Sequence, residues 1–218
     1  MVKSRPYVIL SAAISIDGKI ATRLGDSRLS SKQDKVRIHK LRSKVDAILI
    51  GKNTLYKDDP LLTVRFAKGK NPTRIILDSQ GTISVHSKIL KTCNKIPTII
   101  AVSKNISKQN LKKIKKFPVE IIITGENSVN IRSLLNHLNK IKIRTLLVEG
   151  GGITNWQFIR DSLFDEVLIT IAPIIIGGTE AIGFVQGRGF DKIMESPKFR
   201  LNTIDRLKNY LVLHYKKV

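Results

Sequence analysis

The sequence predicts an α/β fold with a mostly parallel central sheet, helices on both faces and an antiparallel C-terminal hairpin. Short apolar runs rich in β-branched residues alternate with segments of helical periodicity, which is typical of parallel strands joined by helices. The last two such runs, 199–207 and 210–217, are separated only by Lys208 and Asn209, which indicates a hairpin. Mixed sheets with an antiparallel edge are common.

The individual elements follow from the same patterns. Strands are predicted over residues 7–15, 47–51, 74–78, 98–102, 119–124, 145–149 and 166–172. One helix has the apolar stripe Ile131, Leu134, Leu135, Leu138 and Ile141. Another has the sparser stripe Ile38, Leu41 and Val45 and opens at Ser31, whose hydroxyl is the expected N-cap. No repeat or linker divides the chain, so we expect a single domain over 1–218.

The charge is unusual. The 39 lysine and arginine residues against 17 acidic ones give a formal net charge of +22. The lysines are scattered, which favours polyanionic small-molecule ligands or a lysine-rich proteome over nucleic acid. Aromatic residues are not interleaved with basic ones as in an RNA-binding sheet. A basic nucleic-acid-binding protein remains the alternative from a different functional class.

Cys93 is the only cysteine, which excludes an internal disulfide and a cysteine-based zinc site. We therefore expect a reducing, cytoplasmic setting and no bound metal. No uninterrupted apolar run approaches the length needed to cross a membrane, so no membrane association is expected.

The most informative segment is a glycine turn. An apolar run ends at Glu149 and is followed by Gly150, Gly151 and Gly152 and by a helical pattern that begins with Ile153 and Thr154. Glycines allow backbone N–H groups to approach a phosphate, and a helix N-terminus adds positive charge. A carboxylate beside such a site is expected to face a second ligand, which indicates a cofactor enzyme.

The spacing does not match a dinucleotide fingerprint. That motif requires a third glycine where Asn155 stands, and it requires an acidic residue about 20 positions further on. A glycine turn that merely ends a strand is the alternative interpretation.

Two further segments carry candidate groups. Asp17 and Gly18 form a turn signal that either simply exposes Lys19 or places it at a strand's carboxyl end, where α/β sheets bind ligands. Thr54 and Asp58 are four residues apart and would share one face of a short helix ended by 58–60. Arg42 and Arg65 have the fork of donors that binds phosphate.

Together these segments resemble one family. The residues are 15–21, 51–65, 78–80, 148–151 and 172–178, and they resemble the pyrimidine reductase of riboflavin biosynthesis. The same module forms the reductase half of a bifunctional bacterial deaminase-reductase and is similar in fold to dihydrofolate reductase. A deaminase domain is not expected, because its zinc signature needs more than one cysteine.

The resemblance implies a reaction. It is the reduction of the ribosylamino side chain of 2,5-diamino-6-ribosylamino-4(3H)-pyrimidinone 5′-phosphate to the ribitylamino form, with NADPH as cofactor and NADH as the alternative. The same reduction of the deaminated 5-amino-6-ribosylamino-uracil 5′-phosphate is the alternative reaction. The resemblance also implies a homodimer.

The family's functional positions fall on particular residues of this chain. The resemblance assigns to the cofactor Thr54, Asp58, Ser79, Gly150, Gly151, Gly152, Ile153 and Thr154. It assigns to the substrate Ser27, Arg42, Leu62, Arg65 and Glu149. Lys19 and Glu149 are the expected catalytic residues. Ser79, Ser103 and Lys104, at strand ends, are candidate partners for a cofactor 2′-phosphate.

A dihydrofolate or pterin reductase is the nearest rival function. It needs a buried carboxylate on the first helix, and Asp34 is the only candidate there. Its neighbours are Lys32, Gln33 and Lys35, so we expect Asp34 to be a solvated first-turn acid that the helix dipole favours.

Overall fold

The computed structural model of the chain describes residues 4–218. The strands are β1 Tyr7–Ile14, β2 Lys19–Ala21, β3 Ala47–Gly51, β4 Thr73–Leu77, β5 Thr98–Val102, β6 Glu120–Ile123, β7 Thr145–Val148, β8 Glu166–Ile171, β9 Ile182–Gly183, β10 Phe199–Leu207 and β11 Tyr210–Lys217. The helices are α1 Lys32–Arg42, α2 Lys52–Asp58, α3 Lys88–Lys91, α4 Lys108–Ile114, α5 Ile131–Lys140 and α6 Gly152–Arg160, with a 3-10 turn at Ile193–Glu195. Within the described residues, no helix combines the length and the apolar character needed to cross a membrane.

The seven predicted strands and the hairpin are confirmed. Each strand end lies within one residue of its predicted position, and the hairpin strands have the predicted bounds. Lys208, in the turn of the hairpin, has a φ of 57°, as a tight two-residue turn requires. Strands β2 and β9 were not predicted, because three and two residues are too few to show a periodic pattern.

Contacts divide the chain into two compact units. The first contains Lys40–Leu146 and the stretch that ends at Tyr7. Its strand order is β7-β3-β4-β5-β6, and the neighbours from β3 to β6 run parallel. Every residue of β3 and β5 is buried, which is why these strands are continuous apolar runs without alternation.

The second unit contains Val8–His39 and Leu147–Val218. Its strand order is β10-β11-β8-β1-β7, in which β1 and β8 are parallel and β11 is antiparallel to both β8 and β10. Strands β2 and β9 form a separate antiparallel pair. The mostly parallel sheet with antiparallel C-terminal strands is therefore confirmed.

Helix α5 has the predicted apolar stripe. Ile131, Leu134, Leu135 and Leu138 are buried, whereas Ile141 follows the last turn and is 41% exposed. The N-cap of α1 is also confirmed, because the Ser31 hydroxyl accepts a hydrogen bond from the Asp34 backbone N–H at 3.1 Å.

The expectation of a solvated Asp34 on α1 is wrong, whereas Val45 of the predicted apolar stripe is buried. Ile38 and Leu41 are only half-buried, whereas Asp34 and His39 are buried. Asp34 is 2% exposed, and its Oδ1 accepts hydrogen bonds from Arg37 Nε at 2.9 Å and Thr170 Oγ1 at 2.7 Å. These donors replace water around the carboxylate, which is why it is buried and not solvated as predicted.

A buried arginine anchors the first unit. Arg74 is fully buried, and burial lowers its pKa to about 10, so it stays charged at neutral pH. Its guanidinium donates to hydroxyl and carbonyl oxygens, namely those of Thr92, Thr98, Leu61, Ile89 and Ile96. Neutral acceptors from a loop, a helix and a strand thus hold this charge in place.

Candidate active site

The glycine turn has the predicted strand–turn–helix geometry. Strand β7 ends at Val148, Glu149 is half-buried, and Gly150 has a φ of 80°. Gly151 is the N-cap of α6, a helix of nine residues, and no side chain caps that helix through a hydrogen bond. The N–H groups of the first turn and the positive end of the helix dipole therefore suit an anion such as a pyrophosphate.

Another backbone segment approaches this turn closely. A Cβ added to Gly152 would lie 2.6 Å from the Gly183 carbonyl oxygen, a distance that real side chains do not show. The Gln186 N–H also donates to the Gly152 carbonyl oxygen at 3.0 Å. Glycine is therefore required at 152 for packing.

Lys19 is held by a compact turn. The Ser15 hydroxyl accepts from the Lys19 N–H at 2.9 Å, and the Ser15 N–H donates to the Lys19 carbonyl oxygen at 2.8 Å. Lys19 begins β2 and is paired with Gly183 of β9. Gly18 has a φ of 79°, which is the reason for a glycine in the predicted turn.

Segment 182–186 joins the Lys19 turn to the glycine turn within the second unit. The Phe184 N–H donates to the Gly18 carbonyl oxygen at 3.0 Å, while Gln186 binds Gly152 as described. The structure thus brings Lys19 and the glycine turn to one short segment of main chain.

Asp17 has a contact that the turn signal did not reveal. Its carboxylate accepts from the Ile176 N–H at 3.0 Å and the Gly177 N–H at 2.8 Å. A hydrogen bond from the Ser15 side chain, followed by these two backbone hydrogen bonds, lowers the pKa of Asp17 to about 2. Asp17 therefore fixes loop 174–178 beside the Lys19 turn.

In the first unit, the loop that carries Leu62 and Arg65 is held by side chains. Leu62 is 2% exposed and has a φ of 53°, which is unusual for a γ-branched residue. Arg65 is exposed, and its guanidinium carbon lies 5.8 Å from the centroid of the Phe66 ring. Three hydrogen bonds hold this loop. Arg42 Nη1 donates to the Thr63 carbonyl oxygen at 3.2 Å, and Arg74 Nη1 donates to the Leu61 carbonyl oxygen at 3.4 Å. The Val64 N–H donates to Asn71 Oδ1 at 2.8 Å.

Thr54 and Asp58 both lie on α2, so their predicted position on one face of a short helix is confirmed. The helix ends at Asp58, and Asp59 follows with a φ of 37°. Asp59 Oδ1 accepts from the Lys88 N–H at 2.9 Å, which connects the end of α2 to the start of α3.

The three candidates for a 2′-phosphate differ in availability. Ser103 is fully buried, and its hydroxyl donates to the Ser79 carbonyl oxygen at 2.8 Å, so it does not face a ligand. Ser79 is half-buried, and its hydroxyl accepts from the Val129 N–H, which leaves the hydroxyl proton to donate. Lys104 is exposed and paired with Glu126 at 2.6 Å.

The predicted site residues fall into separate groups. Lys19, Glu149 and the glycine turn belong to the second unit, as does Ser27, which is exposed in the loop before α1. Arg42 contacts the Leu62 loop in the first unit, which also contains Thr54, Asp58 and Ser79. In the part of the chain that is described, no group of three potential metal ligands is found.

Sequence reasoning missed the contacts of three residues that hold these segments, namely Asp17, Asn71 and Arg74. Each residue holds its segment through the hydrogen bonds of one side chain, and such a contact gives no periodic pattern in the sequence. A polar residue inside an apolar strand, as at Arg74 in β4, is the one signal that was available.

Asp17 gives a pH-dependent prediction. Its pKa in the folded chain is about 2, below the value of about 3.9 for an unfolded chain, so its stabilising effect is complete above about pH 4 and is lost towards pH 2. We expect Asp17→Asn to lower the melting temperature at pH 7. The difference from the wild type should shrink between pH 4 and pH 2.

Asp191→Asn is the matched control, because Asp191 is exposed and pairs only with Arg188 at 2.9 Å among the contacts seen. It should leave the melting temperature unchanged. A difference between wild type and Asp17→Asn that persists unchanged down to pH 2 would contradict the assigned role.

Comparison with known proteins identifies the family. Residues 6–213 match the family described as RibD C-terminal domain. The 2,5-diamino-6-ribosylamino-4(3H)-pyrimidinone 5′-phosphate reductase of Methanothermobacter thermautotrophicus is 37% identical over 214 residues, which cover 97% of this chain and 98% of that protein. A protein of the same name from Aquifex aeolicus is 39% identical, with 91% of each chain covered.

Solved structures support the same family. A diaminohydroxyphosphoribosylaminopyrimidine deaminase/5-amino-6-(5-phosphoribosylamino)uracil reductase from Thermotoga maritima is 26% identical with a TM-score of 0.81. The match covers 98% of this chain but 57% of that one, so this chain spans little more than half of the bifunctional protein. The predicted dihydrofolate reductase-like fold is confirmed by this likeness, and the chain belongs to the RibD C-terminal domain family.

Proposed function

We propose that this chain reduces the ribosylamino side chain of 2,5-diamino-6-ribosylamino-4(3H)-pyrimidinone 5′-phosphate to the ribitylamino form in riboflavin biosynthesis. The observation that carries the proposal is the match, over more than nine-tenths of both chains, to two reductases named for that substrate. The family match over 6–213 supports one reductase domain that uses the whole chain.

The diamino substrate is preferred over the deaminated one for the same reason. The relatives named for the diamino compound are covered over 98% and 91% of their length. The structure named for the uracil compound also carries a deaminase function and is covered over 57%. The deaminated compound is therefore the alternative substrate in the assay below.

The glycine turn fits the pyrophosphate of a nicotinamide dinucleotide. Gly150 and Gly151 put no side chain in front of the uncapped end of α6, and nine residues of helix lie behind it. When bound, NADPH supplies the hydride for the sugar C1, and a proton goes to the departing ring oxygen or to the nitrogen. Ser79 and Lys104 are the proposed partners of the 2′-phosphate, which favours NADPH over NADH.

We assign the proton and positioning chemistry to Lys19 and Glu149. The Lys19 ammonium is proposed to orient the opening sugar and donate its proton, since the main chain of β2 and the Ser15 hydroxyl fix its backbone. Glu149 follows directly on β7, and its carboxylate is proposed to bind the pyrimidine or ribose hydroxyl and amino groups.

Phosphate binding is assigned to Arg42 and Arg65 of the first unit. Arg42 already donates to the carbonyl of Thr63, so its guanidinium is oriented before any ligand arrives. Arg65 follows the same loop and is exposed. A guanidinium presents parallel N–H groups that match a phosphate, which makes arginine suitable for this role.

The function predicts a specific activity. The purified protein should oxidise NADPH only when the ribosylamino-pyrimidine phosphate is present, and the diamino form should be the better substrate. With NADH, kcat/KM should be at most about one tenth of its value with NADPH, because NADH lacks the 2′-phosphate and loses one charge-assisted contact. Absorbance at the NADPH band measures oxidation of the cofactor, and mass analysis of the product measures reduction of each pyrimidine. Turnover of dihydrofolate, with neither pyrimidine consumed, would contradict the proposal.

Two variants separate the roles in the second unit. Glu149→Gln should lower kcat by about a hundred-fold and leave the Kd for NADPH unchanged. Gly151→Ala should raise that Kd by about ten-fold through a Cβ at the pyrophosphate position. Gly151 has a φ of −60°, which is an ordinary value for alanine.

Glu195→Gln, in the exposed 3-10 turn, is the matched control and should change neither constant. If Glu149→Gln instead raises the Kd for NADPH while kcat is retained, the assignment of Glu149 to the substrate is wrong.

We further propose that the protein forms a homodimer through β10. This strand is at the edge of the sheet, and eight of its nine residues are exposed. Phe199, Leu201 and Ile204 are 39%, 44% and 58% exposed. An edge with unpaired N–H and C=O groups and apolar side chains favours a second copy of the strand as its partner.

Sedimentation analysis of one variant tests the dimer. Ile204→Lys should convert the dimer to a monomer, because a charge at a buried interface is unfavourable. Ile123→Lys is the matched control, since Ile123 is 49% exposed on β6, an edge strand of the first unit, and this variant should remain dimeric. A wild type that sediments as a monomer at micromolar concentration would contradict the proposal.

A further inference from the structure

Asn155 is a buried amide next to the glycine turn. It lies in the first turn of α6 and is fully buried. A Cβ added to Gly150 would lie 3.5 Å from Asn155 Nδ2 and 3.7 Å from Oδ1, so the amide faces the side of Gly150 that a side chain would occupy. The Asn155 N–H donates to the Gly151 carbonyl oxygen at 2.9 Å. Asn155 is therefore bonded to Gly151 and lies beside Gly150.

The side chain also reaches segment 182–186. Asn155 Nδ2 donates to the Phe184 carbonyl oxygen at 2.8 Å, and the N–H of the same Phe184 donates to the Gly18 carbonyl oxygen at 3.0 Å. Gly18 directly precedes Lys19, which is paired with Gly183. Two hydrogen bonds through one residue thus connect the Asn155 amide to the Lys19 turn.

Close packing keeps this connection short. The Gly152 backbone leaves no room for a Cβ next to the Gly183 carbonyl. A Cβ added to Gly187 would overlap the ring of Trp156, the residue that follows Asn155 on the helix. Segment 182–186 is therefore packed closely against α6 on both sides of Phe184. Among the described residues of α6, the Asn155 amide is the donor to the Phe184 carbonyl oxygen.

Hydrogen bonding at position 155 favours an amide donor over an apolar side chain that only fills the space. Asn155 Oδ1 is buried and has no hydrogen-bond partner among the described residues. A buried acceptor without a donor costs free energy, which an apolar side chain of similar size avoids. The benefit must then come from Nδ2, whose bond to Phe184 also fixes which way the amide points.

We propose that Asn155 is a positioning residue for the reaction, coupling the glycine turn to Lys19 through the main chain of Phe184. The inference rests on the function proposed above for those two elements. Asn155 stands where a dinucleotide fingerprint would have its third glycine, and a glycine there has no amide to make the connection. The coupling acts on the placement of the Lys19 ammonium and of the anion-binding N–H groups together.

The test uses the full chain with two variants. Asn155→Leu keeps the number of side-chain heavy atoms and removes both the donor and the unpaired acceptor, whereas Asn155→Asp keeps the planar shape and removes the donor. The Kd for NADPH is measured from the fluorescence of Trp156, the only tryptophan. We expect both variants to raise that Kd about ten-fold and to lower kcat by about ten- to a hundred-fold, the effect of a small misplacement. Asn136→Leu, at an exposed position of α5, is the matched control and should change neither.

Hydrogen exchange measures the coupling without activity. In Asn155→Leu, amide exchange should accelerate in residues 15–19 and 182–186, while the melting temperature stays close to that of the wild type. A merely structural residue would lower the melting temperature and leave kcat and the Kd for NADPH unchanged well below it.

Wild-type values of kcat and Kd in both variants, or unchanged exchange in residues 15–19, would overturn the inference. If the wild type fails to reduce the pyrimidine but the exchange and NADPH results hold, the proposed substrate is wrong and the positioning role of Asn155 stands.

Discussion

The close approach of two backbones in the second unit is the constraint on which the candidate site depends. Gly152 and the Gly183 carbonyl are so near that no side chain fits between them. Because the segment after β9 runs against α6 there, its Phe184 N–H reaches Gly18 and places the turn that carries Lys19. The same lack of side chains leaves the N-terminus of α6 open to an anion. One steric requirement thus bears on both the glycine turn and the Lys19 turn.

The first unit depends on a different interaction, the burial of one positive charge. Arg74 is surrounded by neutral oxygens, and one of these is the carbonyl of Leu61. Together with Arg42 and Asn71, it holds the loop in which Leu62 has a positive φ. A loop fixed in this way would lose little conformational freedom on binding the proposed phosphate, which favours affinity. The scattered net charge of +22 adds a general attraction for polyanionic ligands.

Most of the fold was predictable because local patterns determine it. The buried parallel strands appear as apolar runs, the hairpin as two β-prone runs around a two-residue turn, and α5 as one apolar stripe. The glycine turn was predictable too, since β7, three glycines and α6 are consecutive in the chain. The burial of Asp34 on α1 was not predictable, because its partner Thr170 lies 136 residues away in the chain.

The connections within the site were not predictable for a related reason. Asp17 binds the backbone of Ile176, 159 residues further on, and Asn155 binds Phe184, 29 residues further on. Each is a single polar contact between distant parts of the chain, and neither residue type shows its partner in the sequence. The family resemblance supplied the residues of the site, whereas the structure supplied the contacts that hold them.

In the proposed reaction, a hydride passes from the nicotinamide to the sugar carbon of the pyrimidine substrate. Deuterium transfer tests this directly. The protein is given NADPH labelled with deuterium at C4 of the nicotinamide, with both labelled positions occupied, and the diamino substrate, and the product is analysed by mass spectrometry. Each ribitylamino product should carry one deuterium, at C1 of the ribityl chain. A reduced product without deuterium, or no reduced product at all, would contradict it.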